Sequence, residues 1–411
     1  MEKCKCCGGE NLHTLIDFGL QPVAHNLLES EEEEDAIKHL LCLHYCKDCG
    51  FVQINKPINP SELYIKYNYC FSAWKRQPHI PDEIEMLSRH IKDKNSRILE
   101  IGCNDGVFLE PMQKAGYSNV VGIEANRYAA KEAEAYGFDI LNIMFDKYSA
   151  AQIKAKYGTF EVIVMRQALE HIPDLDGLFE ALDRMLGGEK WIFIEVPDFA
   201  KALDYGDCST IWEEHPNYFT SDVLEYLLNR KGYIVIEKAF YNFSGGALSV
   251  LAKKAEKMLY PLAHGNREWL KYENFASRVS EYALKLKAAL KNMKKKGCGI
   301  FLYGTGARAC TLVNGLDLAG VDKLIDYAVD DQKEKQGRYM PGSHLLIVGL
   351  NEVKSIKGEK LFLLAVNQEN EKAVYEKILA FLGTEHIKAI SLFAPNDILK
   401  EVEKIAMQED K

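Results

Sequence analysis

The chain has 411 residues, of which 47% are hydrophobic and 27% charged, and a net charge of −9. A chain of this length suits about two or three domains, each with its own core, and the composition is that of a folded globular protein. The acidic balance and the lack of a long basic run argue against nucleic acid as a partner, no apolar run approaches the ~20 residues that span a bilayer, and the N-terminal MEKCKCC has no apolar signal core, so a cytoplasmic protein is expected.

Eleven cysteines, several in close pairs, suit metal ligation in a reducing compartment better than disulfides. Cys4-Lys5-Cys6-Cys7-Gly8 and Cys46-Lys47-Asp48-Cys49-Gly50 are two CxxC knuckles. Each can set two thiolates on one side of a tight turn, so Cys4, Cys7, Cys46 and Cys49 predict a closed tetrahedral Zn2+ site that folds a small module and leaves no open position for catalysis. Cys6 and Cys42 are spare, His13, His25, His39 and His44 are candidate substitute ligands, and a redox CxxC is the competing reading. Glu29 to Asp35 reads as a solvated acidic loop without chemistry. The aromatic stretch Leu63 to Trp74 either packs one domain on the next or covers a cofactor, since tyrosine offers a flat face and a hydroxyl.

A helix from Ile84 to Ile91 leads into Ile98-Leu99-Glu100-Ile101, a short apolar strand that runs into Gly102-Cys103-Asn104-Asp105-Gly106. A helix from Val107 and a second strand ending on Glu124 complete a βαβ unit, in which glycines let the backbone approach a ligand and a carboxylate can accept both hydroxyls of a ribose. Helix Arg127 to Tyr136, strand Phe138 to Ile143, strand Phe160 to Met165, helix Leu175 to Leu186, a Gly-Gly turn and strand Trp191 to Asp198 continue a doubly wound parallel sheet. Ligand groups are expected at the carboxyl ends of these strands, which selects Gly102 to Gly106, Glu124, Met165 to Gln167 and Glu195 to Asp198.

The segments EIGCNDGVFL, Glu124 and VMRQALEHIPDL resemble the cofactor motifs of class I S-adenosylmethionine-dependent methyltransferases, and no GxGxxG follows the first strand as a nicotinamide fold would require. The combination of a Cys4 module, such a core and a C-terminal glycine-rich αβ domain resembles the sugar C-methyltransferases that act on nucleotide-linked keto-sugars, with Tyr67-Asn68-Tyr69, Leu169-Glu170-His171, Glu195-Val196-Pro197 and Val329-Asp330-Asp331-Gln332 carrying the likeness along the chain. The resemblance implies S-adenosylmethionine bound by Tyr69, Glu100, Gly102, Asn104, Asp105, Gly106, Glu124, Ala125, Met165, Arg166, Gln167 and His171.

Ile211-Trp212-Glu213-Glu214-His215-Pro216-Asn217-Tyr218-Phe219 falls where that family carries its catalytic motif, Y-x-E-H-x-x-Y-F. Methylating carbon needs a nucleophilic carbon, which a ketone supplies when a base removes the neighbouring proton. His215 is the natural base because an imidazole titrates near working pH, with Glu214 fixing it or meeting a substrate hydroxyl and Tyr218 lining the pocket. Two departures bear on the substrate. Trp212 stands in place of the tyrosine that opens the motif, and Ser244 and Ser249 in Ser244-Gly-Gly-Ala-Leu-Ser249 replace the histidine and arginine of H-G-G-S-L-R.

From Leu262 to Lys296 the spacing of Phe275, Val279, Tyr282 and Leu286 predicts a long bridging helix without chemistry. Gly299 to Arg308 begins a second strand–loop–helix unit, with strands near Leu324 to Val329 and Lys360 to Ala365. By the same resemblance this region meets the nucleotide diphosphate of the substrate, through Glu195, Tyr303, Gly304, Arg308, Asp330 and Asp331. The expected organisation is a zinc module over residues 1–75, a Rossmann-like methyltransferase core over 76–255, and a linker helix with a Rossmann-like α/β domain over 256–411. The expected activity is C-methylation of a nucleotide-linked keto-sugar, with an O- or N-methyltransferase and a non-catalytic nucleotide-sugar binder as the rivals.

Overall fold

The cysteine knuckles sit at one end of an antiparallel meander of β1 (Leu12–Pro22), β2 (Lys38–Cys46) and β3 (Val52–Ile54). The structure, a computed structural model, describes residues 2–35, 37–63, 77–255, 265–320, 322–393 and 397–407. The stretch Tyr64 to Trp74, with the cofactor candidate Tyr69, lies outside the described residues. The sulfurs of Cys4 and Cys49 are 3.6 Å apart and those of Cys7 and Cys46 3.7 Å, and all four lie within 4.8 Å of one another. Metal–sulfur bonds of about 2.3 Å in a tetrahedron give edges of about 3.8 Å, so the four thiols fit zinc. None of the candidate histidines joins them. His13 meets Asn11, His44 lies beside Cys42, His39 is half-buried outside the cluster, and His25 pairs with Glu214.

The central sheet contains β4 (Ile98–Ile101), β5 (Val120–Ile123), β6 (Asp139–Leu141), β7 (Phe160–Arg166) and β8 (Leu186–Pro197), all parallel, in the order β6-β5-β4-β7-β8. A two-residue strand β9 (Asn217–Tyr218) intervenes in the chain, and β10 (Tyr233–Tyr241) and β11 (Ala247–Lys254) extend the edge as β8-β11-β10, with β11 antiparallel to both neighbours. These strands are nearly continuous apolar runs because helices cover the sheet on both faces. The expected Gly-Gly turn is not a turn: Leu186 already pairs with Phe160, so the chain passes from helix Leu175–Met185 straight into β8 and an irregularity at Phe160/Val162 absorbs the glycines. Strand β9 leaves the central domain altogether. It pairs antiparallel with β3, making the fourth strand of the zinc module's sheet.

The third sheet is all parallel, in the order β14 (Ile347–Val348), β13 (Tyr327–Val329), β12 (Gly299–Tyr303), β15 (Lys360–Leu364), β16 (Ile387–Ser391). Helix Gly265–Lys295 joins the parts. Its residues Tyr272, Phe275, Val279, Tyr282, Leu286 and Leu290 are buried at helical spacing, in one cluster with Leu43, Tyr45 and Val52 of the zinc module and Ile300, Leu302 and Leu361 of the third sheet. The Glu29 to Asp35 loop is solvated along Glu29 to Glu34, as its sequence implies, but its two ends are tied to the third domain. Leu28 exchanges backbone hydrogen bonds with Tyr339 at 2.9 Å each way, Glu29 pairs with Arg338 at 3.0 Å, and Asp35 accepts the Gly342 N–H at 3.0 Å. Among the described residues no helix is long and apolar enough to cross a membrane.

Helix Ile80–His90 is fixed to the central sheet by charge as well as by apolar packing. Arg166, at the end of β7, pairs through Nε with Glu83 at 2.8 Å and through Nη2 with Glu195 at 2.6 Å, while His79 lies 3.1 Å from Glu195 and Ser249 donates to Glu83 at 2.6 Å. Burial pushes the Glu83 carboxyl up to about 8, and Arg166 and His79 outweigh the burial of Glu195 and hold it below the usual range. The guanidinium therefore faces one carboxylate and one carboxylic acid near neutral pH, a balanced set.

Two outcomes are expected. Metal analysis should find about one zinc per chain, and Cys46→Ser should remove it and raise amide exchange at Val52 to Ile54, where β9 docks. Arg166→Met, which leaves a buried carboxylate without its partner, should cost about 3–5 kcal/mol in denaturant unfolding.

Candidate active site

A single cavity of about 1330 Å³ runs between the carboxyl ends of the central and third sheets. A drug-sized ligand takes up about 300–1,000 Å³, so the space suits two ligands side by side. At one end lie Gly102, Asn104, Glu124, Ala125 and Gln167, around the point where strand order reverses at β4. Gly102 has φ 76°, and a Cβ there would stand 3.2 Å from that of Ala168, so the turn admits only glycine. Glu124 is buried. Its Oε2 accepts the Asn104 N–H at 2.8 Å and its Oε1 the Asn126 N–H at 2.6 Å, which occupies two of the roughly four acceptor positions of a carboxylate. The Ala125 N–H also bears on the carboxylate, and the capacity left suits a ribose hydroxyl, so this end fits the ribose and amino-acid portions of S-adenosylmethionine.

The other predicted cofactor residues are placed differently. Gly106 and Asp105 belong to the same turn but not to the cavity wall, and Met165 is packed in the apolar core. Glu100 is buried beneath the turn, its carboxyl pushed up to about 8 by burial. Arg166 is drawn into its ion pairs with Glu83 and Glu195, so neither Arg166 nor the predicted substrate residue Glu195 reaches the cavity. Gln167 does, and donates backwards to Glu195 at 3.0 Å.

In the middle of the cavity stand Trp212, Glu214, His215 and Tyr218, together with His171 and Glu170. The His215 ring lies 3.7 Å from the Trp212 ring, centre to centre, and edge-on to His171 at 4.7 Å. The His171 Nδ1 donates to the Glu214 backbone oxygen at 2.8 Å, and burial lowers its pKa. The hydroxyl of Tyr218 is buried with the Trp212 backbone N–H beside its oxygen, and burial holds the phenol well above its usual range, so it stays protonated. The segment is held from behind. The Ile54 N–H donates to the Pro216 oxygen at 3.0 Å, Glu213 accepts the Ala24 N–H at 2.7 Å, and His25 lies 2.6 Å from Glu214. All three contacts come from the zinc module.

The far end is the switch point of the third sheet. Gly304 has φ 102° and a Cβ there would meet the Ala365 oxygen at 2.5 Å. Asp330 accepts from Thr305 N at 3.2 Å and Thr305 Oγ1 at 2.5 Å, and Asp331 accepts from Tyr303 Oη at 3.0 Å and pairs with Lys377 at 2.5 Å. Arg308 lines the wall, yet its donors go to Ser209, Asn367 and Asp207, and its plane lies 4.1 Å over Phe393. It ties the third sheet to the central domain. Lys335 and Arg338 are wall cations that the sequence did not single out. Ser244 lines the cavity, whereas Ser249 is buried on Glu83.

Three family profiles match in succession: "Putative zinc binding domain" over residues 4–64, "Methyltransferase domain" over 73–238 and "C-methyltransferase C-terminal domain" over 244–390. The C-methyltransferase NovU of Streptomyces niveus is 25% identical over 395 residues, 92% of this chain and 93% of that one. The ubiquinone biosynthesis O-methyltransferase of Brucella ovis is 28% identical over 130 residues, 31% of this chain and 48% of that protein. Among solved structures, the 1,6-didemethyltoxoflavin-N1-methyltransferase of Burkholderia thailandensis aligns at 13% identity with a TM-score of 0.37, covering 52% of this chain and 99% of that one. With its four-cysteine site and the three domains in this order, the chain belongs to the S-adenosylmethionine-dependent C-methyltransferases that combine a zinc-binding domain, a methyltransferase domain and a C-methyltransferase C-terminal domain.

Proposed function

We propose that this methyltransferase acts on the carbon next to the ketone of a nucleotide-linked keto-sugar, with His215 as the base. The observation that carries the reading is the continuity of the cavity, which places His215 between the methyl-donor turn and the switch point of the third sheet. Bound at Gly102 to Glu124, S-adenosylmethionine supplies an electrophilic methyl group. His215, held against the tilted ring of Trp212 and edge-on by His171, takes the proton beside the ketone. Tyr218 carries a buried hydroxyl whose proton is uncommitted, and it donates to the ketone oxygen as charge develops there. Glu214 accepts a sugar hydroxyl beside the reacting carbon. The diphosphate lies toward Lys335, Arg338 and the first turn of helix Ala307–Gly315, and the nucleoside toward Tyr303 and Asp331. Arg308 acts on this end by holding its wall rather than as the main phosphate ligand.

Replacing His215 by Asn should reduce transfer to nucleotide-linked keto-sugars by at least about 100-fold and abolish solvent-deuterium exchange at the carbon, with S-adenosylmethionine binding unchanged. Retained exchange would remove His215 from the role of base. Product made with a labelled methyl donor should show the methyl resonance of a carbon substituent, and a resonance typical of a methyl on oxygen or nitrogen would establish the rival chemistry. Glu124→Ala should weaken S-adenosylmethionine about 10- to 100-fold in calorimetry, the loss of hydrogen bonds to a charged acceptor. Burial holds the Glu124 carboxyl above its ordinary value even though three backbone N–H groups pull it down, so wild-type affinity should fall with decreasing pH, beginning above the normal carboxylate range.

A further inference from the structure

Glu213 and Glu214 are adjacent, both buried, and both answered by the same short loop of the zinc module, Ala24-His25. The two contacts differ in kind. Glu213 receives a neutral backbone N–H at 2.7 Å and does not line the cavity. Glu214 receives an imidazole at 2.6 Å through Oε1, a contact between a cation-forming ring and a carboxylate. Both His25 and Glu214 are on the cavity wall beside His215, and the His25 side chain is 31% exposed there.

The environments push the two acids apart. Burial and the neighbouring Glu214 push Glu213 up to about 7, whereas Glu214, equally buried, is kept below the usual carboxylate range by His25 and His171. His25 moves the other way. Burial alone would lower its pKa, and attraction to Glu214 and Glu213 outweighs both burial and the repulsion of Lys335 and raises it. One acid of the pair is thereby kept as a carboxylate and the other is free to hold a proton, the arrangement that divides two like groups into separate roles.

We propose that His25, carried by the zinc-binding module, is a positioning residue of the transfer site: its imidazolium holds Glu214 ionised and in place, so that the Glu214 carboxylate accepts a substrate hydroxyl beside His215. This deepens the function proposed above and rests on it. It also gives the zinc module a part in the reaction, since the loop that bears His25 follows directly from β1, whose pairing with β2 is closed by the knuckles.

The test uses full-length, zinc-loaded protein and whichever nucleotide-linked keto-sugar the wild type methylates. His25→Gln should lower kcat/KM at least about 10-fold with zinc content and S-adenosylmethionine affinity unchanged. It should also move the acid limb of the kcat/KM profile upward by about one pH unit or more, because a buried carboxyl that loses a cation is protonated more readily. His25→Lys, which keeps the charge, should return the acid limb toward its wild-type position. Because His25 acts through Glu214, the double variant with Glu214→Gln should be no slower than Glu214→Gln alone. An unmoved acid limb, or costs that simply add, overturns the role. Should His25→Gln lose zinc or donor binding, the imidazole of His25 titrated by NMR in the wild type and in Glu214→Gln decides the matter. A pKa that falls by about one unit or more supports the pair, and an unchanged value overturns it. Wild-type protein that methylates no such substrate overturns the proposed function and this inference with it, whereas normal turnover with an indifferent His25 removes only the inference.

Discussion

The contact on which the active site depends is a two-residue strand pairing. Val52 faces Tyr218 and Gln53 faces Asn217, so the segment that carries Glu214, His215 and Tyr218 is an edge strand of the zinc module although it belongs to the central domain in sequence. A pairing this short has little stability of its own, and it holds because both sides are otherwise fixed. On one side four thiolates around zinc close a module with few strands and a small core of its own. On the other, Asn217 donates to the Leu169 and Ile172 oxygens at 3.2 and 2.6 Å, beside His171. The candidate catalytic residues therefore stand where two domains meet, each supplying one half of the restraint.

The same principle accounts for the long helix and for Arg308. The first and third sheets share one apolar cluster along helix Gly265–Lys295, and burial on this scale leaves the two switch points facing a common space rather than separate clefts. Arg308 then joins the third sheet to Ser209 and Asp207 at the cavity wall, a buried cation satisfied by several acceptors and a ring face. With its donors spent on both domains, the guanidinium fixes the distance between the two switch points.

Much of this was legible in the chain, and what was not has a common cause. Strands β4, β5, β7 and β15 are continuous apolar runs because both faces of a parallel sheet are covered, and the CxxC spacing states its own chemistry. The pairing of β9 with β3, the reach of His25 to Glu214 and the docking of Leu28 on Tyr339 join residues far apart in sequence, and none leaves a local period or motif. Arg166 and Glu195 show the opposite failing. Their place at strand ends suggested the cavity, but charges at such ends can point to either side of the sheet, and here Glu83 on a neighbouring helix draws Arg166 inward while Arg166 and His79 hold Glu195.

The departures from the expected motifs relocate groups rather than remove them. Trp212 lacks the hydroxyl of a tyrosine, yet its larger face holds the His215 ring at 3.7 Å, and Tyr218 still offers a buried hydroxyl to the same space. Ser249 lacks the charge of an arginine, but it lies in the interior on Glu83, where Arg166 already supplies a cation. Of the replaced positions only Ser244 and Trp212 touch the cavity. The change in chemistry available to the substrate is therefore confined to the rim near Ser244 and to one lost hydroxyl, while the zinc module contributes an imidazole that neither motif contains. A difference in substrate between this chain and its relatives would follow from those few groups, with the methyl-donor end left as it is.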